Sequence, residues 1–304
     1  MMRSGIIEFI FFANYFVGLL GVALSVETVF QLDLPLASPV YYILLFSTTV
    51  MYYTYAYSGA AVTVTPSNPR TEWYRLHHSF IHRSQTILFT IWLACAAFLF
   101  YQHHEAILRL PLYYWFLIVP IPFAGLLYYG LLPSTFNLRN TGWFKAFVIG
   151  FVWAGCVNFL PVTMAKIEYG ISVAQPDFML WLFIKNWMFC TVNAIMFDIK
   201  DYEDDANKQL KTFVVRFGLR NTIFFILIPL LFIGIVSLLI FTYYKNFSAL
   251  VIGVNLLPFL SLLYVAYSLQ RPKKILYYLI VIDGLLLVKA VCGISGIVLL
   301  KVFP

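Results

Sequence analysis

Charge is scarce in this chain. Only 11% of its 304 residues are Asp, Glu, Lys or Arg, against roughly 25% in a soluble domain, and this excludes an ordinary water-soluble fold. Cysteine is sparse too. The four cysteines (Cys95, Cys156, Cys190 and Cys292) fall in apolar stretches without a C-x-x-C pair. That excludes a disulfide framework and a zinc site, and leaves them as packing residues. No low-complexity tract or soluble domain interrupts the chain. What is present is apolar: 62% hydrophobic residues, 19% aromatics and a mean hydropathy of +0.85. These values describe a polytopic, all-α membrane protein.

The apolar runs predict nine transmembrane helices in a single integral membrane domain, 1–304. They lie near 6–30, 40–62, 84–101, 112–130, 143–165, 178–198, 221–242, 248–268 and 276–300, each close to the ~20 residues a bilayer crossing needs. Turn chemistry marks the breaks: Pro35, Pro39, Pro66, Pro69, Pro111, Pro133, Pro176 and Pro272. The first run, behind Arg3, extends too far for a cleaved signal sequence and reads as the first helix. With the N-terminus in the cytosol, fourteen basic residues fall on the inner side and only Arg109, Lys166, Lys245 and Lys301 on the outer. This bias predicts an inner N-terminus and an outer C-terminus. The net charge of +7 therefore belongs to topology and to anionic membrane lipids, with no nucleic-acid partner.

Two loops on the inner side are long, 63–83 and 199–220. Each carries a basic residue, a Thr and an Arg four positions after it (Arg70-Thr71 with Arg75, Lys211-Thr212 with Arg216), which hints at a duplicated four-helix unit. The second loop opens on a knot of acid. Of thirteen acidic residues, five lie within eight positions: Asp198, Asp201, Glu203, Asp204 and Asp205. If the helix continues, Asp198, Asp201 and Asp205 share one face, and Glu203 and Asp204 point elsewhere. Carboxylates at a helix C-terminus repel one another and oppose the macrodipole. A bound cation relieves both, and oxygen ligands at a membrane surface suit Mg2+, above all Mg2+ carrying phosphate. The other reading is a solvated loop partly neutralised by Lys200 and Lys208.

Other residues carry paired readings. Arg70, Arg75 and Arg83 form a phosphate clamp or are ordinary topology charge. His78 and His82, four apart, chelate a metal only with a third ligand. Asn14, Asn158 and Asn193 hydrogen-bond between helices or touch substrate. Glu27, Lys185, Asp283 and Lys289 sit within spans and face the bundle interior, water or an interface. Asp283, ~12 Å in from the start of the last helix, is the deepest carboxylate, and its spacing from Lys289 excludes that residue as its partner. Aromatic side chains offer cation–π faces to an allylic cation.

Taken together, Asp198-Ile-Lys-Asp201-Tyr-Glu-Asp-Asp205 with Lys211-Thr212 and Phe217-Gly218 downstream resembles the second aspartate-rich motif, D-x-x-D-x-x-x-D, of the UbiA superfamily of intramembrane prenyltransferases. Leu138-Arg139-Asn-Thr-Gly-Trp-Phe-Lys145, running into Gly150-Phe-Val-Trp153 and Asn158-Phe-Leu-Pro161, is similar to that superfamily's fourth loop and fifth helix. The resemblance implies a UbiA-like bundle of nine helices around a central cavity that opens to the membrane. It implies transfer of an isoprenyl group from a prenyl diphosphate to a lipid-soluble, often aromatic, acceptor, with Mg2+ as cofactor. By it, Asp198, Asp201 and Asp205 are metal ligands, and basic residues in the region of Arg139 and Lys145 contact the diphosphate. Read with the residue patterns above, the catalytic candidates are Lys145, Arg70 and Arg75, and the substrate-binding candidates are Arg139, Asn14, Asn158 and Asn193.

The chain departs from the family at the first aspartate-rich motif. That motif is expected near Tyr57–Thr65, which holds no acid; between Asp33 and Glu105 the only carboxylate is Glu72. One metal site is therefore expected instead of two, with cations and hydroxyls gripping the diphosphate on the other side. Two alternatives follow: a non-catalytic protein of the same fold that binds an isoprenoid or a membrane partner, and a transporter that uses the charges within the spans.

Overall fold

Apolar helix follows apolar helix from Met2 to Val302, and among the described residues every regular element is helical. The computed structural model describes residues 2–57, 69–130, 137–207, 209–244 and 246–302. Outside these lie the Tyr57–Thr65 stretch except for Tyr57, the positions Pro66, Pro133, Lys208 and Lys245, and the side chains of Arg3 and Asp204.

The order is α1 (Met2–Phe12), α2 (Tyr15–Gln31), α3 (Pro39–Tyr55), α4 (Pro69–Leu76), α5 (His78–Leu108), α6 (Leu112–Ile118) and α7 (Pro120–Tyr129). Then come α8 (Phe144–Tyr169), α9 (Pro176–Lys200), α10 (Tyr202–Asn207), α11 (Phe213–Phe217), α12 (Leu219–Thr222), α13 (Ile228–Tyr244) and α14 (Ala249–Ser268). The last are α15 (Ile275–Tyr277) and α16 (Asp283–Val302), joined by a π-helical turn, Tyr278–Ile282. Among the described residues seven helical stretches are long and apolar enough to cross a bilayer, and the bent pair α1–α2 makes an eighth. At 17 residues α3 spans about 25 Å. The chain is an integral, multi-pass membrane protein.

Three features depart from the sequence expectation. The first run breaks by 56° between α1 and α2, because Asn14 adopts a left-handed backbone (φ 66°), a conformation that Asn tolerates better than most residues. The second loop-to-helix boundary lies earlier than position 84. Residues His78–Arg83 contain neither Gly nor Pro, so the helix runs on past the apolar limit. Lastly, α9 stops at Lys200 and the chain turns through Asp201 before α10 begins. The three aspartates thus do not share one helical face, as like charges at a helix C-terminus discourage its continuation.

The helices at the centre pack through small residues. A Cβ on Gly150 of α8 would meet Thr191 Oγ1 of α9 at 2.2 Å and the Trp187 carbonyl oxygen at 2.9 Å, so these two helices approach backbone to backbone. The largest core cluster joins α2, α8, α9, α13, α14 and α16 around Leu20, Phe189, Ile195, Leu227, Leu262 and Ile282. The window of α5 that is most apolar is almost wholly unburied, whereas those of α8 and α9 are more than half buried. An apolar helix facing outward faces lipid.

Candidate active site

A cavity of about 700 Å³ opens at the end of the bundle where α9 finishes. Its apolar and aromatic lining includes Val17, Ile149, Trp153 and Leu286. Its rim is charged. Lys145 stands in the first turn of α8, buried, with its ammonium 3.0 Å from Asp198 Oδ1 and 2.8 Å from Asp205 Oδ2. Asp198 lies in the last turn of α9 and Asp205 on α10, so one cation ties three helices. Asp198 Oδ2 is buried with no hydrogen-bond partner. Asp201, in the turn between α9 and α10, pairs with Lys200 at 2.5 Å and remains partly exposed.

Arg139 reaches the rim from the short 3-10 turn Leu138–Asn140, and its own backbone amide donates to the Asn137 side-chain oxygen at 3.1 Å. Its guanidinium is exposed and makes no hydrogen bond or ion pair among the described residues. The turn is pressed onto the acidic loop at Gly142 (φ 67°), where a Cβ would lie 2.6 Å from the Lys211 carbonyl oxygen. Only glycine meets both demands.

Arg70 also lines the cavity, and its fork is engaged. Nε and Nη2 donate to the Phe12 carbonyl at 3.1 and 2.9 Å, and Nη2 also donates to Asn14 Oδ1. The guanidinium sits 4.4 Å over the Tyr57 ring. Asn14 Nδ2 in turn donates to Thr54 Oγ1 and to the Tyr74 hydroxyl, each at 3.1 Å. The carbonyl released by the α1–α2 break is thereby satisfied. Burial raises the pKa of the Tyr74 hydroxyl, opposed by the Arg70 charge.

The cavity therefore brings together Asn14, Arg70, Arg139, Lys145, Asn193, Asp198, Asp201 and Asp205. Two other sequence candidates sit elsewhere. Arg75 is on the exposed face of α4, held bidentately by Glu72 at 2.9 and 2.8 Å, and that hydrogen bond lowers the Glu72 pKa. Asn158 is fully buried and ties three helices, accepting from Thr28 at 3.3 Å and Asn186 at 3.1 Å while donating to the Ala154 carbonyl. Of the charges within spans, Glu27 pairs with Lys289 at 2.6 Å, and the Lys185 ammonium lies 5.1 Å from the Trp181 ring centroid. His78 and His82 stack on an exposed face with ring centroids 6.4 Å apart. The cavity also contains Tyr53, Tyr128 and Tyr129, which nothing in the sequence separated from the other tyrosines.

The donor set is of the chemical type that a divalent cation takes. Every candidate ligand is a carboxylate oxygen, the class that Mg2+ prefers, and the unpartnered Asp198 Oδ2 is a buried acceptor awaiting a cation or a donor. Among the described residues no three His, Cys, Asp or Glu side chains converge as a ready-made metal site, and Lys145 lies between Asp198 and Asp205. Four carboxylates (Asp198, Asp201, Asp205, Asp283) face four cations (Arg70, Arg139, Lys145, Lys200) across the lining.

Residues 66–279 match the family model described as the UbiA prenyltransferase family. No curated protein and no solved structure matches the chain.

Proposed function

Because the chain belongs to the UbiA prenyltransferase family, we propose that it transfers an isoprenyl group from a prenyl diphosphate to a small, lipid-soluble acceptor. The observation that carries this reading is the cavity itself. A charged rim with the acidic motif stands over an aromatic, apolar interior, matching a substrate with an anionic head and a hydrocarbon tail. In this reading Asp198, Asp201 and Asp205 hold one Mg2+, which when bound neutralises the diphosphate and makes it a better leaving group.

The chain's own residues do the rest. Arg139, with no partner among the described residues, takes the outer phosphate. Lys145, already clamped between two carboxylates, is a second positive charge at hydrogen-bonding distance from the motif. Arg70 holds the rim through the α1–α2 break and adds its charge without giving up its bonds to Phe12. Trp153 and Tyr53, joined by a hydrogen bond from the indole N–H to the hydroxyl, line the cavity and offer aromatic surface to the developing allylic cation.

A second reading has one observation in its favour. Lys145 occupies the Asp198–Asp205 gap as a built-in cation, which also suits a non-catalytic protein that binds an isoprenoid. Magnesium-dependent release of pyrophosphate by the purified protein, assayed over prenyl diphosphates of several chain lengths, decides between them. Release that stops with Asp201→Ala is the expected result. No release at any length, with retained binding of a prenyl alcohol, favours the binding protein.

A further inference from the structure

Asp283 is the one cavity carboxylate that the aspartate-rich motif does not explain. It is 9% exposed and lines the cavity, yet it makes no hydrogen bond or ion pair among the described residues. Arg70 and Lys200 act on it only across space. A buried, unpaired acid in a membrane span is costly, so its presence calls for a function. Its depth is set by one contact. Asn193 Nδ2 donates to the Ile282 carbonyl at 2.8 Å, so Ile282 and Asn193 stand level. Asp198, five residues further along α9, is about 7.5 Å nearer the rim. The π-helical turn Tyr278–Ile282 immediately precedes Asp283. Such an inserted residue rotates everything after it on the helix, and it occurs often at functional sites. Tyr53, Trp153 and Leu286 line the same cavity.

We propose that Asp283 is the catalytic base of the acceptor half-site. It accepts a hydrogen bond from an O–H or N–H of the acceptor and then takes that proton. The diphosphate rests at the rim and its C1 points inward, so the acceptor meets C1 from below, at the level of Asp283. During transfer the C1–O bond breaks and its electron pair leaves with the diphosphate. The acceptor's electron pair forms the new bond to C1, and the acceptor's proton moves to a carboxylate oxygen of Asp283, later passing to water at the cavity mouth. Asp283 is thus a selectivity element: acceptors lacking a donor group leave its charge unpaired and are rejected.

The assignment rests on the prenyl-transfer reading for its chemistry, and its binding half is measurable without turnover. Phenol and anisole serve as head-group probes, with farnesyl thiolodiphosphate as an unreactive donor. The wild type is expected to bind phenol about tenfold more tightly than anisole, and Asp283→Asn to lose most of that preference while binding the thiolodiphosphate as the wild type does. Transfer from farnesyl diphosphate to phenol is expected to fall at least ~100-fold in Asp283→Asn and to recover in part in Asp283→Glu. Equal affinity of the wild type for phenol and anisole overturns the assignment, as does undiminished preference or transfer in Asp283→Asn. If the thiolodiphosphate fails to bind the wild type while the phenol preference depends on Asp283, prenyl transfer is wrong and the carboxylate's binding role stands.

Discussion

Lys145 is the residue on which the rim's electrostatics turn. Its ammonium is shared by Asp198 and Asp205 at 3.0 and 2.8 Å, and all three side chains are buried. A buried pair gains little over an apolar substitute, but removing one partner strands the other. Lys145→Met leaves two carboxylates facing each other and is expected to cost about 3–5 kcal/mol. The vacated gap is also where a divalent ion gains most. In thermal unfolding of the detergent-solubilised protein, the variant's midpoint falls without Mg2+, and Mg2+ raises it by more than it raises the wild type. An unchanged midpoint in the variant would show that the triad is not closed in solution. The aspartates of this cluster were readable from sequence, since their spacing and density stand out against an acid-poor chain. Their shared cation was readable only as a basic residue at the head of a helix, because Lys145 and Asp205 meet through tertiary packing across 60 positions.

The pairing of α8 with α9 is what delivers Lys145 to the motif, and Gly150 lies between the two helices. Its nearest neighbours include the backbone of α9, with the Thr191 amide nitrogen and the Trp187 carbonyl oxygen each 2.9 Å from a built Cβ. Rotamer changes relieve the clash with Thr191 Oγ1 but not those two. Gly150→Ala therefore forces the helices apart. The expected outcome is a loss of about 1–3 kcal/mol and a drop in activity, because the rim opens with the interface. A fully active and equally stable variant, measured in the same unfolding and pyrophosphate-release assays, would mean that the helices are not in such close contact. Helix identity was legible from hydropathy because lipid demands long apolar runs. Helix ends and breaks were not. The α1–α2 break rests on one left-handed Asn, with its free carbonyl held by Arg70 and Tyr74 from a distant segment, and no Pro or Gly announces it. The extension of α5 back to His78 is equally silent, since polar residues mark the edge of the membrane and not the end of a helix.

Across the whole protein, charge is segregated between the two ends of the bundle. Arg70, Arg139, Lys145 and Lys200 gather around the cavity mouth, while at the far ends of α2 and α16 the pair Asp33–Lys301 closes at 2.8 Å. Asn14 and Asp283, at the near ends of those two helices, both line the cavity, so each helix runs from the charged mouth to the sparsely charged side. The excess of Lys and Arg in loops on the cavity side predicts that this side faces the cytosol, where a water-soluble diphosphate head can be met. The N-terminus is then inside and the C-terminus outside. Fusions at the C-terminus are expected to give active alkaline phosphatase and dark green fluorescent protein, with the reverse for fusions in the 199–220 loop. The opposite pattern would put the cavity mouth on the outer face. Prenyl diphosphate would then have to be supplied from outside, and the cation-rich rim would be serving its ligand rather than the direction of insertion.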